Sequence, residues 1–90
     1  RIYWFENGGD AEVYFGSADL MERNLDRRVE VLCPVLDPAL RRQLREVVLD
    51  AMVRDNVRAW ALHTDGSYVR CAPAEGEPAV DAQRTLLEWY

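Results

Sequence analysis

Gly16-Ser17-Ala18-Asp19-Leu20-Met21-Glu22-Arg23-Asn24-Leu25-Asp26-Arg27-Arg28-Val29-Glu30 decides how this chain folds, because it sets a Gly-Ser turn, polar anchors and three arginines between two strand-like runs. Gly16-Ser17 ends the upstream run. Ser17 has the chemistry of an N-cap for a short helix over residues 18–25, with Asp19 favourable near the positive helix end. Upstream, Ile2 to Phe5 and Glu12 to Phe15 flank Asn7-Gly8-Gly9-Asp10, the pattern of a β-hairpin with a polar tip. Downstream, Arg28 to Leu36 reads as a third strand. Its apolar residues Val29, Val31, Leu32, Cys33, Val35 and Leu36 predict burial on both faces, hence a central strand.

Asp37-Pro38 marks a helix start, an acidic cap followed by proline where its missing N–H costs nothing. The helix is expected to run to about Arg54. Leu40, Leu44, Val47, Val48, Ala51 and Met52 form one stripe predicted to face the sheet, with Arg41, Arg45 and Arg54 on a solvated face. Val57 to Leu62 and Tyr68 to Cys71 flank Thr64-Asp65-Gly66-Ser67 as a second hairpin. Residues 72–78 form a polar Pro/Gly loop, and Val80 to Tyr90 a final helix packing through Leu86, Leu87 and Tyr90. The pattern predicts an α/β fold, a mixed β-sheet with packed helices, in one domain over residues 1–90.

The chain has 90 residues, 49% of them hydrophobic, which excludes disorder, and no apolar run is long enough to span a bilayer. It opens on the strand-like Arg1-Ile2-Tyr3-Trp4-Phe5 without an initiator Met or a leader, and is read as a fragment. Cys33 and Cys71 lie far apart, in keeping with reduced thiols in the cytosol, and Cys33 reads as a buried small hydrophobe. His63 has no second ligand at metal spacing, so neither a metal site nor a catalytic role is expected of it. A net charge of −5 argues against nucleic-acid binding through a broad basic face. Any anion must be held locally. All eleven basic residues are arginine, a guanidinium chemistry suited to phosphate that a GC-rich coding bias would also produce.

A strand that ends in Gly-Ser and turns into a helix can build an anion site from outward backbone N–H groups. Ser17 and Asn24 would add hydrogen bonds, Arg23, Arg27 and Arg28 would supply guanidinium forks, and Glu30 would orient one of them. A plain surface turn with solvated arginines fits the same local chemistry.

Arg1-Ile2-Tyr3-Trp4-Phe5, Asn7-Gly8-Gly9-Asp10, Glu12-Val13-Tyr14, Ser17-Ala18-Asp19 and Arg23-Asn24-Leu25-Asp26-Arg27-Arg28-Val29-Glu30-Val31 together resemble the end of bacterial polyphosphate kinase. Asp37-Pro38 and Asp55 to Ala59 continue the likeness, which covers essentially the whole chain and weakens after about residue 60. The family is similar to phospholipase D, with paired domains that each carry an H-x-K-like strand and a downstream G-S-x-N-like turn. The resemblance implies a partial phospholipase D-like domain, the carboxy-terminal catalytic subdomain of a phosphohistidine-type kinase. Arg1 matches the basic position of H-x-K, with a histidine implied two residues earlier. Ser17 and Asp19 match the turn, with Asp for Asn, while Asn24, Arg28 and Glu30 match the following polar triplet. Leu20 stands where the family commonly has Trp, and Glu22 where Pro is frequent.

What the resemblance implies is reversible transfer of the ATP γ-phosphate to inorganic polyphosphate, with magnesium, through a phosphohistidine outside this chain. The isolated chain is then expected to be inactive. Arg1, Ser17, Asp19, Asn24, Arg28 and Glu30 are the phosphate-binding candidates, and no catalytic or metal-binding residue is expected here. The implied partners are the preceding domains, in a homo-oligomeric cytoplasmic enzyme that extends at most to the periphery of the inner membrane. A phospholipase D-type phosphodiesterase half-domain and a non-catalytic interaction module are the alternatives.

Overall fold

In the computed structural model, which describes residues Arg1 to Tyr90, the aromatic run Ile2–Phe5 (β1) pairs antiparallel with Glu12–Gly16 (β2), placing Tyr3 opposite Tyr14 and Trp4 opposite Val13. The connection needs left-handed backbone at Asn7, Gly8 and Gly9, which explains the Asn-Gly-Gly sequence at the hairpin tip. A third strand, Leu32–Pro34 (β3), joins the other side of β2 in the order β1-β2-β3.

The strand expected over residues 28–36 is therefore shorter, lies at an edge, and is largely exposed. Val29 is fully exposed, and Val31, Leu32 and Leu36 face outward as well. Cys33 is half-buried rather than buried. Pro34 explains the placement, since a residue without an N–H is tolerated on an edge strand and not in the middle of a sheet. Val13 and Val35 are buried beside each other, joined by a Val35 N–H to Val13 carbonyl bond of 2.8 Å.

Between β2 and β3, the short helix α1 spans Glu22–Arg27, four residues later than expected, and Ser17 does not cap it. Its N-cap is Met21, which has no side-chain acceptor to offer. Glu22 is the first helical residue, a position that suits proline or a carboxylate.

Helix α2 (Pro38–Gln43) begins as expected, with the Asp37 carboxylate accepting from the Ala39 and Leu40 amides at 2.8 and 3.2 Å. The helical run then widens into a π-helical segment, Leu44–Leu49, before α3 (Asp50–Arg54). That change of period breaks the expected stripe, so Val48 and Ala51 are buried while Leu40 and Met52 are exposed. Arg41 is not on a solvated face either. Its guanidinium donates to the Ala11 and Leu36 carbonyls at 3.0 and 3.4 Å.

The chain divides into two compact units, Arg1–Leu44 and Arg45–Tyr90. The second contains α3, the hairpin Trp60–Leu62 (β4) and Tyr68–Arg70 (β5), and helix α4 (Ala82–Trp89), which packs on α3. Gly66 supplies the positive φ of the β4–β5 turn, where Asp65 accepts from the Ser67 amide and hydroxyl. Of the expected packing residues Leu86 is half-buried whereas Leu87 and Tyr90 are exposed, and the buried Ala82 sits one turn before Leu86, so α4 packs through Ala82 and Leu86. The α/β class holds, with every strand pairing antiparallel.

Asp55 organises this unit. One carboxylate oxygen accepts from the Val57, Arg58 and Ala59 amides at 3.0, 2.7 and 3.0 Å, and the other from the Ala82 amide at 2.8 Å. These N–H donors, Ala82 foremost, hold its pKa down at about 2. Asn56 beside it exchanges backbone and side-chain bonds with Val80 and donates to Glu77 and Pro78, tying down the 72–78 loop. Arg58 and Asp81 pair at 2.7 Å, which lowers the Asp81 pKa.

A carboxylate whose folded pKa is depressed stabilises fully above its unfolded pKa and loses that contribution as pH falls through the folded value. The stability difference between the parent chain and Asp55→Ala should therefore be full above pH about 4 and shrink toward pH 2. Urea denaturation of both proteins across that range checks this, and a pH-independent difference would contradict it.

Candidate functional site

β1 begins and β2 ends at one corner, where the chain leaves the sheet at Gly16. The Gly16 amide donates to the Arg1 carbonyl and the Ser17 amide to the Val31 carbonyl, both at 3.0 Å, so the first turn residue is held from two sides. A Cβ on Gly16 would lie 2.8 Å from the Val31 carbonyl oxygen. Only glycine lets the chain before β3 approach so closely.

Side chains from both neighbours then fix residues 17–19. Arg1, just before β1, and Tyr3 within it lie two apart along the extended chain and share a face. The Arg1 guanidinium donates through Nε to Asp19 Oδ1 at 2.5 Å and through Nη1 to the Ser17 carbonyl at 2.8 Å, and the Tyr3 hydroxyl donates to the Ala18 carbonyl at 3.1 Å. From the opposite side, the Ser17 hydroxyl donates to Glu30 and accepts from the Val31 amide at 3.1 Å. That bridge to the strand side is why Ser17 cannot cap α1. From below, Asn24 Oδ1 accepts the Asp19 amide at 3.4 Å.

Five of the six candidates, Arg1, Ser17, Asp19, Asn24 and Glu30, thus form one connected network. The sixth, Arg28, follows α1 in extended conformation, exposed and with no hydrogen-bonded or ionic partner. The network constrains what each group can offer a ligand. Ser17 spends its only proton on Glu30 and is left as an acceptor. Arg1 uses two of its five N–H donors within the corner, which leaves three. Arg28 retains all of its donors.

Asn24 is 3% exposed and its Nδ2 has no partner. An orphaned buried donor costs about 1–3 kcal/mol, so this residue is kept inside for the hold its oxygen has on Asp19. Two contributors were not anticipated. Tyr3 shares Arg1's strand face, a signal the period of two carries; Gly16 was read only as a turn residue.

Asp19 and Glu30, the carboxylates of the corner, are engaged by Arg1 and Ser17. No three His, Cys, Asp or Glu side chains converge as a metal cage, so these residues do not fit a magnesium site of their own. His63 is exposed in the β4–β5 turn, in the other unit from the corner. Below the corner a cavity of about 490 Å³ opens on one sheet face, walled by Tyr3, Phe5, Tyr14, Leu20, Leu25 and Leu32, with Phe5 and Tyr14 edge to face at 6.2 Å.

Residues 1–83 match the family described as polyphosphate kinase C-terminal domain 2. The chain belongs to that family. It is 50% identical over 90 residues to the polyphosphate kinase of Parasynechococcus marenigrum and 51% identical over 86 residues to that of Rhodopirellula baltica. The chain spans 12% and 10% of the length of those relatives. The crystal structure of polyphosphate kinase from Porphyromonas gingivalis superposes on 99% of the chain with a TM-score of 0.86 at 39% identity, the chain covering 13% of that protein.

Gly16→Ala should destabilise the first unit by about 1–3 kcal/mol, because the added methyl meets a backbone carbonyl that cannot rotate away. Equilibrium urea unfolding measures it, and unchanged stability would mean β3 is free to shift.

Proposed function

We propose that this chain forms part of the phosphate-binding wall of an ATP:polyphosphate phosphotransferase, which moves the ATP γ-phosphate reversibly onto inorganic polyphosphate. The observation that carries the reading is the corner itself: a guanidinium, Arg1, is fixed by Asp19 and the Ser17 carbonyl with three donors left over, and Arg28, exposed after α1, keeps all of its donors. A phosphoryl group in flight carries negative charge on its equatorial oxygens, and preoriented cations stabilise it without reorganising. Arg1 supplies the fixed donors and Arg28 the adjustable fork. Glu30 holds Ser17, and Asn24 holds the Asp19 amide, so both act by keeping the turn in place.

The nucleophile, on this reading, is a histidine of the remaining polypeptide, in the paired-domain arrangement of phospholipase D-like enzymes. It takes the γ-phosphate from ATP with ADP leaving, then passes it to the terminal oxygen of the polymer. Magnesium arrives on the ATP phosphates rather than in a cage built by this chain. The other domains of the same enzyme are the proposed partners, and the apolar cavity beneath the corner suits coverage by them. Such an enzyme works in the cytoplasm or at the inner-membrane periphery; no helix of this chain is long and apolar enough to cross a membrane.

Arg28→Ala in the complete enzyme should lower kcat by about 10²–10³, the loss typical of one preorganised charge-stabilising donor. Steady-state kinetics in both directions measure it, with wild-type rates removing Arg28 from the site. The isolated chain, incubated with labelled ATP and magnesium, should incorporate no acid-labile phosphate; incorporation would place the nucleophile within these residues.

A further inference from the structure

Most arginines of this chain have an evident structural task. Arg1, Arg45, Arg54, Arg58 and Arg84 pair with carboxylates, and Arg41 and Arg70 donate to backbone carbonyls. Of the four others, Arg23, Arg27, Arg28 and Arg42, three fall within six residues of one another. Arg28 already has a place in the phosphotransferase reading above. Arg23 and Arg27 do not.

Those two stand at i and i+4 on α1, hence side by side on one flank, where like charges repel. Arg23 is also in the first turn, at the positive end of the helix dipole, where a cation is disfavoured. A carboxylate is within sequence reach, Asp26 at i+3 from Arg23, yet no ion pair forms. The dipole favours Arg27 in the last turn, but nothing within the chain compensates Arg23. Together with Met21 and Glu22 the pair lines an open cleft of about 450 Å³, separate from the apolar cavity. The Glu22 carboxylate shares that cleft without bridging either arginine. Two uncompensated guanidinium groups at a locally unfavourable place, in a chain of net charge −5, are what an external polyanion would require.

We propose that Arg23 and Arg27 form a subsite for the trailing phosphates of a linear polyphosphate, displaced along α1 from the Arg1 and Arg28 corner. The inference rests on the phosphotransferase reading above and adds to it a chain-length dependence. A long polymer can contact the corner and the helix flank together, so part of its affinity arises from bivalent engagement. Tripolyphosphate or the ATP tail has only three phosphates, so it has few left for a second contact once it is held at the corner.

The test compares the complete enzyme with its Arg23→Gln/Arg27→Gln variant, using long-chain polyphosphate and tripolyphosphate as acceptors at two salt concentrations. Both residues are exposed, so the fold should tolerate the change. The expected result is a KM for the long polymer raised about tenfold and less sensitive to salt, with the KM for tripolyphosphate changed less than about twofold. An Arg23→Lys/Arg27→Lys variant should recover much of the loss. An unchanged ratio of the two KM values overturns the inference, as does a lowered melting temperature with that ratio unchanged, which would assign the pair to the fold. If Arg28→Ala slows transfer while the ratio stays constant, only the subsite is lost. If Arg28→Ala is also without effect, the phosphotransferase reading fails with it.

Discussion

The Ser17–Asp19 turn is held from both sides, by Arg1 and by Tyr3 of β1 and by Glu30 and Val31 ahead of β3, and the rest of the first unit is arranged around that grip. A turn with no regular structure of its own would sample many conformations, and ordering it carries an entropic cost that local backbone bonds do not offset. Here side chains on a rigid hairpin and an incoming strand supply the missing bonds. The β1–β2 register places Arg1 beside Gly16, and Gly16 in turn lets the chain before β3 come within reach of Ser17. Asn24 closes the underside by holding the Asp19 amide.

Much of this was legible in the residues. The two hairpins, the Asp37-Pro38 helix start and the Gly66 turn follow from rules that act over a few neighbours, and the structure has them where local chemistry puts them. The polyphosphate kinase family was legible too, because its motif residues are concentrated in the first forty positions. What was not legible depends on partners distant in sequence. Ser17 resembles a helix cap and instead reaches thirteen residues ahead to Glu30. Arg41 has the spacing of a solvated residue and instead reaches back to Ala11. The run 28–36 looks apolar enough for a central strand, yet Pro34 marks an edge, a signal that composition outweighed. The π-helical segment at Leu44–Leu49 changes a helical period that no single residue in it betrays.

The charge distribution leaves room for the proposed anion site on an acidic chain. Asp37, Asp55, Asp65 and Asp81 all accept from backbone amides, so their negative charge is spent on helix starts and turns. Three of the four guanidinium groups with neither a carboxylate nor a carbonyl partner, Arg23, Arg27 and Arg28, lie instead on and just after α1. Net charge therefore excludes a broad basic surface while leaving room for a local one. The many apolar side chains left outside, Val29, Leu32 and Leu36 among them, fit a segment that makes up 10–13% of its relatives' length.

On the proposed function, the corner between β2 and α1 holds phosphate through Arg1, with Arg28 reaching it from the end of α1. A crystal structure of the complete enzyme with a non-hydrolysable polyphosphate analogue tests it most directly. Phosphoryl oxygens should lie within hydrogen-bond distance of both guanidinium groups, with the Arg1–Asp19 and Ser17–Glu30 bonds intact. An analogue bound elsewhere in the enzyme, with Arg28 turned to solvent or paired to a carboxylate, would contradict it.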